Sequence, residues 1–351
     1  MLNVRPARRL VAVEAGHILS TANKVGNYLF TLVTMLQDRQ SPSPRADPVG
    51  QREGQMGQES EHVAVVTGGG RGIGRAYAMF LAAQGYRVVV NSATIEDEGS
   101  SAEHVVREIR ALGGTAAAHV GPIGTWDSAD ALVRRALDEF GRLDVLVNNA
   151  GLLRDRTIAN MSESEWDDVL NVHLKAQAAT LHFAAAYWRE RHRQDEGAKA
   201  SVVNTTAGAG LYGNIGQGNY AAAKAGVVGL TLVAARELGR YGVRVNAVAP
   251  LARTRQTESL NLPTSLGPGD DAFDPYDPDN IAPVIGYLVS PDCPLTGQVI
   301  NVQGGNVDIY QGWSVKESFR TSGRWTVDAL RSLLDGHSAD PPEFAPPRLG
   351  S

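Results

Sequence analysis

The stretch Gly218-Asn219-Tyr220-Ala221-Ala222-Ala223-Lys224 places a phenol and an ammonium four residues apart. On a helix, positions i and i+4 share a face, so Lys224 can stand beside Tyr220. A phenol ordinarily titrates at about pH 10, and an adjacent cation favours its phenolate. Such a tyrosine can donate and accept a proton near neutrality. Upstream, Thr67-Gly68-Gly69-Gly70-Arg71-Gly72-Ile73-Gly74 follows a β-branched run and opens a helical pattern. Glycines let a backbone turn tightly against a pyrophosphate, and a helix N-terminus offers free N–H groups and a positive dipole end. Tyr-x-x-x-Lys alone arises often by chance. Behind a phosphate-binding turn at this distance, it points to a reacting centre beside a dinucleotide.

The elements that must position these residues begin near residue 61, where strand and helix signals start to alternate. That alternation implies βαβ units around a parallel sheet. Strands are expected at 62–67, 87–90, 115–120, 143–147, 201–204, 243–248 and 298–302. Helices are expected at 75–84, 102–112, 129–140, 163–192 (broken along its length) and 220–241. Segment 261–283 carries Pro263, Pro268, Pro275, Pro278 and Pro283 with Asp270, Asp271, Asp274, Asp277 and Asp279. It follows the sixth strand, where a substrate lid would lie. Its acids disfavour a bare anionic substrate there, although solvated lid charges explain them equally well. The tail, 313–351, holds Trp313 and Trp325, expected to cover apolar surface on this subunit or a neighbour, and a short helix at 326–334.

Residues 1–58 have a different texture. Arg5, Arg8 and Arg9 precede Leu29, Leu32, Val33 and Leu36 at helical spacing, and 37–57 is polar and rich in Pro, Gln and Gly. This reads as a poorly ordered extension, or as an upstream start with Met56 the working initiator. No small-residue cleavage site closely follows the apolar run, as a secretory signal requires.

The 351 residues, 43% hydrophobic and 20% charged, are ordinary for a globular protein. A formal net charge of -5 argues against nucleic acid as partner. Cys293 is the only cysteine, which excludes an intrachain disulfide and fits a reducing, cytoplasmic setting. No apolar run reaches the roughly 20 residues that span a bilayer.

Three motifs in order, Thr67-Gly68-x-x-x-Gly72-x-Gly74, then Asn148-Asn149-Ala150-Gly151, then Tyr220-x-x-x-Lys224, resemble the short-chain dehydrogenase/reductase superfamily over about 61–312. Asn149-Ala150-Gly151-Leu152-Leu153-Arg154-Asp155-Arg156, with Tyr212-Gly213-Asn214, looks closest to its (3R)-hydroxyacyl-CoA dehydrogenase-like branch. The resemblance implies an α/β fold: one Rossmann-type, doubly wound parallel sheet of about seven strands at 59–312, with N- and C-terminal extensions. It also implies a homo-oligomer, a tetramer or dimer, packed through the Tyr220 helix and the one before it. Tyr220 would be the general acid toward a carbonyl, and Lys224 would hold the nicotinamide ribose while lowering the tyrosine pKa. Gly68, Arg71, Gly72, Ile73, Gly74, Ser92, Asn149, Ala150, Gly151 and Pro250 would bind the cofactor with them. An acid that grips the ribose hydroxyls of NAD is missing after the second strand, where Asn91-Ser92-Ala93-Thr94 stands. Arg71 could pair with a 2′-phosphate, so NADP(H) is favoured over NAD(H).

The sequence departs from the family at three places. Thirteen residues before the tyrosine, where a serine should donate to the substrate oxygen, stands Ala207. Losing such a donor typically costs about 10²–10³ in turnover. Neighbouring Thr205 and Thr206 read most simply as strand-end threonines with satisfied hydroxyls. His173 occupies the usual proton-relay asparagine position, either as relay or as a structural histidine. Gly121-Pro122-Ile123 replaces an Asp-Val pair, and Pro122 brings neither carboxylate nor N–H to an adenine. The leading expectation is an oxidoreductase interconverting a carbonyl and a secondary alcohol, on a β-ketoacyl thioester or a hydrophobic metabolite. A non-redox dehydratase, cyclase or isomerase on the same scaffold, and a catalytically impaired partner subunit, remain open because of Ala207 and Pro122.

Overall fold

The computed structural model describes residues 61–335 apart from 97–98, 195–196, 198, 258–261 and 263–272. The extension expected at 1–58, most of the lid segment before residue 273 and the end of the tail therefore lie outside the described residues. In chain order the elements open with β1 (Val63–Val66), α1 (Gly72–Ala83), β2 (Arg87–Ser92), β3 (Ile95–Glu96) and β4 (Gly99–Ser100). Then come α2 (Ser101–Ala111), β5 (Ala116–Val120), α3 (Trp126–Phe140), β6 (Val145–Asn148), α4 (Glu163–Leu170) and α5 (Ala176–Arg193). The last part holds β7 (Ala200–Thr205), α6 (Gly208–Tyr212), α7 (Gly218–Leu238), β8 (Val243–Leu251), α8 (Ala282–Val289), β9 (Val299–Gln303), β10 (Asn306–Ile309) and α9 (Val327–Leu334).

One sheet runs β10-β9-β8-β7-β6-β1-β2-β5. Winding proceeds one way from β1 to β5 and then restarts at β6 on the other side of β1. The crevice at the strands' carboxyl ends, where that order reverses, is where open α/β sheets bind ligands. Along β1 the side chains alternate between two cores. Ala64 and Val66 join Tyr77, Leu81, Ile109 and Ile285 beneath α1, α2 and α8. Val63 and Val65 join Leu132, Leu146 and Trp188 beneath α3 and α5. A strand covered on both faces reads as an unbroken apolar run. Reciprocal Ser100–Glu103 and Ser162–Glu165 capping boxes start α2 and α4.

Two expectations need correction. The sheet has eight strands rather than about seven, because β10 pairs antiparallel with β9, Asn306 opposite Gln303. The two-residue turn between them is Gly304-Gly305, with Gly304 at φ +55°. Paired glycines favour such a hairpin turn. The helix expected to break within 163–192 instead continues from α4 into α5 through a π turn, Asn171–Lys175. The tail helix forms as expected, capped by the Thr326 hydroxyl. Trp313 is 87% exposed among the described residues.

Candidate active site

Tyr220 and Lys224 lie in the first two turns of α7, and the loop after β6 holds that end of the helix. Asn219, fully buried, donates to the carbonyls of Arg154 at 3.1 Å and Glu165 at 2.9 Å, and accepts from the Tyr220 N–H at 2.8 Å. Gln217 donates to Asp155 at 3.0 Å. Behind the helix, Gly210 of α6 packs so closely on the Lys224 backbone that a Cβ would lie 2.6 Å from it.

The expected trio does come together. The His173 ring meets the Tyr220 ring edge-on at 5.0 Å, and Lys224 Nζ lies 5.5 Å from the Tyr220 ring centre. Lys224 is 1% exposed and donates to the Thr205 carbonyl at 2.6 Å. Burial pushes its ammonium down to about 7. Burial, with Asp155 adding, pushes the Tyr220 phenol up to about 12. The lowered tyrosine expected from sequence is thus not a property of this arrangement: desolvation outweighs a lysine that faces a carbonyl. His173, set in the π turn, is held well below the ordinary imidazole range by burial and by Lys224, so it is neutral. Its Nε2 lies 2.7 Å from the Leu152 carbonyl oxygen and 3.0 Å from the Leu152 N–H.

The dinucleotide end is a cleft of about 610 Å³ at the switch point. Gly68, Arg71, Gly72, Ile73 and Gly74 line one side. Ser92, Asn149, Ala150 and Gly151 line the other. Tyr220, Lys224, His173 and Pro250 do not line it; Pro250 is paired within β8 opposite Val302. Gly68 and Gly72 take φ of +62° and +52°, conformations that glycine adopts freely. A Cβ at Gly74 would overlap the Gly68 carbonyl oxygen. Thr67 Oγ1 accepts from the Asn149 and Ala150 N–H groups at 2.9 and 3.1 Å, fastening the second motif to the glycine turn.

Within 62–261 the chain matches the family model for short chain dehydrogenases. The chain belongs to that family. It is 41% identical over 290 residues to hydroxyacyl-CoA dehydrogenase ChsB1 of Mycobacterium tuberculosis, covering 80% of this chain and 89% of that one. With the 3-oxoacyl-acyl-carrier-protein reductase of Synechocystis it shares 41% identity over 252 residues, 70% of this chain and 96% of that one. It is 39% identical to the peroxisomal hydratase-dehydrogenase-epimerase of Neurospora crassa but spans only 26% of that longer protein. A crystal structure of a short chain dehydrogenase from Mycobacterium avium superposes with a TM-score of 0.72 at 43% identity, covering 79% of this chain and 94% of that one.

The glycine turn of this short-chain dehydrogenase fits the family's nicotinamide dinucleotide, since its close approaches leave room for backbone and phosphate but for no side chain. Ala207, expected from the sequence at the serine position, precedes α6 with its carbonyl accepting from the Gly210 N–H at 2.9 Å. Thr206 supplies no replacement: its hydroxyl donates to the Lys224 carbonyl at 2.8 Å and is buried. Arg71 is exposed on the cleft rim. Ser92 Oγ accepts from Ser101 Oγ at 2.8 Å and from the Thr94 N–H at 3.1 Å, so β2 ends in hydroxyls rather than an acid.

Sequence reasoning missed three contributors. Asn91 accepts from the Gly68 N–H at 3.4 Å and donates to the Gly121 carbonyl at 3.0 Å, tying the glycine turn to the end of β5. Thr254 and Gln256 line the cleft from the segment after β8, and Gln256 donates across it to the Gly151 carbonyl at 2.7 Å. Their position just past the carboxyl end of a parallel strand was the available signal.

Proposed function

We propose that this short-chain dehydrogenase interconverts β-ketoacyl and 3-hydroxyacyl thioesters, with NADP(H) rather than NAD(H). The observation that carries the reading is the grouping of Tyr220, Lys224 and His173 behind a glycine-turn cleft. The names of the relatives, a hydroxyacyl-CoA dehydrogenase and an oxoacyl reductase, support the thioester class. The hydroxyl-lined end of β2 and the rim guanidinium of Arg71 support a 2′-phosphate, because neither repels it.

When bound, the dinucleotide would supply hydride to the carbonyl carbon or accept it from the alcohol. Tyr220 presents its hydroxyl to the substrate oxygen and gives up its proton in the reductive direction. Among the described residues that hydroxyl has no hydrogen-bond partner, so it is free for the task. Lys224 keeps two N–H bonds beyond the one to Thr205, enough for ribose hydroxyls and for the developing phenolate. Neutral His173 holds Leu152 at the cleft floor and can pass a proton. Ala207 leaves Tyr220 as the principal donor to the substrate oxygen. Cys293, buried and free, is compatible with a reducing compartment such as the cytoplasm. The exposed tail from Trp313 to Leu334 supports a homo-oligomer.

The test is NADPH and NADH oxidation over a series of 3-ketoacyl-CoA thioesters of rising chain length. Turnover with NADPH well above NADH, lost in Tyr220→Phe, is expected. Normal NADPH binding without turnover of any thioester would refute the proposal.

A further inference from the structure

Charge sets the dinucleotide cleft apart from the chain that builds it. The protein as a whole is acidic, with a formal net charge of -5. Among the described residues that line the cleft there is no aspartate or glutamate, and Arg71 and Arg255 carry its only charges. Neither guanidinium has a hydrogen bond or ion pair among the described residues. Arg253, two residues before Arg255, shows the alternative: it is held by both oxygens of Asp274, at 2.6 and 3.1 Å. A concave site lined by one sign of charge concentrates ligands of the other.

The two arginines flank the glycine turn on different sides. Gly70, just before Arg71, packs so closely on Ser92 and Ser101 that a Cβ there would overlap them, which puts Arg71 toward the end of β2. Arg255 stands on the other side, in a turn whose shape is fixed by its own hydrogen bonds. Thr257 Oγ1 accepts from the Thr254 N–H at 2.8 Å and donates to the Ala252 carbonyl at 2.8 Å. Thr254 Oγ1 accepts from the Gln256 N–H at 3.2 Å. The turn is also anchored at both flanks. A Cβ on Gly72 would lie 3.2 Å from Thr254 Cγ2, and Gln256 donates to the Gly151 carbonyl at 2.7 Å. Arg255 is thereby set between the turn that receives a pyrophosphate and the second motif beyond it.

We propose that Arg255 is a second phosphate-binding residue of this cleft, directed at the nicotinamide-side phosphate of the dinucleotide. The N–H groups and the dipole of α1 reach the pyrophosphate from the glycine turn. They leave phosphate oxygens unmatched on the side of the segment after β8, where a planar guanidinium pairs well with two of them. The proposal rests on the proposed function only for the dinucleotide in the cleft, and needs neither the thioester nor the preference for NADP(H).

Titration calorimetry of the full chain decides it, with NADPH, NADH, ADP-ribose and adenosine 2′,5′-bisphosphate as probes. Arg255→Ala is expected to raise Kd about tenfold for NADPH, NADH and ADP-ribose alike, the worth of one charged hydrogen bond. The bisphosphate ends at the adenosine-side phosphate, so its Kd is expected to stay as it is in the wild type. Arg255→Lys should recover part of the loss, and added salt should weaken NADPH binding less in the alanine variant than in the wild type. An unchanged Kd for NADPH overturns the inference. An equal loss with the bisphosphate also overturns it, because Arg255 would then serve the adenosine half. So does a rise confined to the KM of a CoA thioester and absent with its pantetheine analogue, which would assign Arg255 to the phosphates of CoA. Wild-type binding of the dinucleotides without turnover of any thioester sinks the proposed function and leaves this inference standing. A wild-type chain that binds no dinucleotide sinks both.

Discussion

Gly151 and His173 share one volume: a Cβ on Gly151 would overlap the imidazole carbon Cε1. The glycine of the second motif is thus the space in which the relay-position ring sits, and the histidine in turn fixes Leu152 and Tyr220. Gly151→Ala forces the ring off both partners. Overpacking of this kind costs about 1–3 kcal/mol. Urea denaturation is expected to show that loss, and His173→Ala added to it should recover part of the stability. Additive losses in the double variant would disprove the shared volume.

Ala207→Ser puts a hydroxyl at the position where the sequence pattern expects the family's serine, at the start of α6 where backbone geometry already suits a capping residue. With thioester and NADPH, kcat is expected to rise by about 10–100-fold, short of the full value of an oxyanion donor because the pocket is adapted to alanine. No gain with unchanged NADPH affinity would favour non-redox chemistry on this scaffold.

Arg71→Ala removes the rim cation of the cleft. If Arg71 pairs with a 2′-phosphate, Kd for NADPH rises about tenfold, the worth of one charged hydrogen bond, and Kd for NADH does not change. Titration calorimetry with both nucleotides measures this directly. Equal effects on the two would place Arg71 on the shared pyrophosphate instead.

The central fold was legible because β1, β2, β6, β7 and β8 are covered on both faces and so appear as apolar runs of strand length, spaced by amphipathic helices. Edge strand β10 was not, since half its residues face solvent and its alternation, Asn306-Val307-Asp308-Ile309, is only four residues long. At the site, the glycine turn and the Tyr220–Lys224 pair follow from local backbone rules and helix spacing. Asn91, Asn219 and Gln256 do not. Each works through a side-chain bond to a backbone group at least 23 residues away in sequence, and no local pattern encodes such a partner. The balance of the Tyr220 and Lys224 titrations was also beyond reach, because spacing gives proximity while burial sets the sign.

That sign yields a stability prediction. Lys224 falls from an ordinary 10.5 to about 7 because burial penalises its charge. Between those two values the unfolded chain holds the proton and the folded chain does not. Stability therefore rises with pH across that window, by up to about 1.4 kcal/mol per unit. Below about pH 7 both states are protonated and the cost of the buried ammonium is present in full. Lys224→Met lacks the titration and places an apolar chain of similar length among α6, α7 and β7. It should be more stable than the wild type at pH 7, lose that advantage as pH rises toward 10, and bind NADPH poorly throughout. Urea denaturation of both proteins at pH 7, 8 and 9 measures the difference in slope. Parallel curves would mean that Lys224 is held as an ammonium across the whole range, by partners stronger than the Thr205 carbonyl.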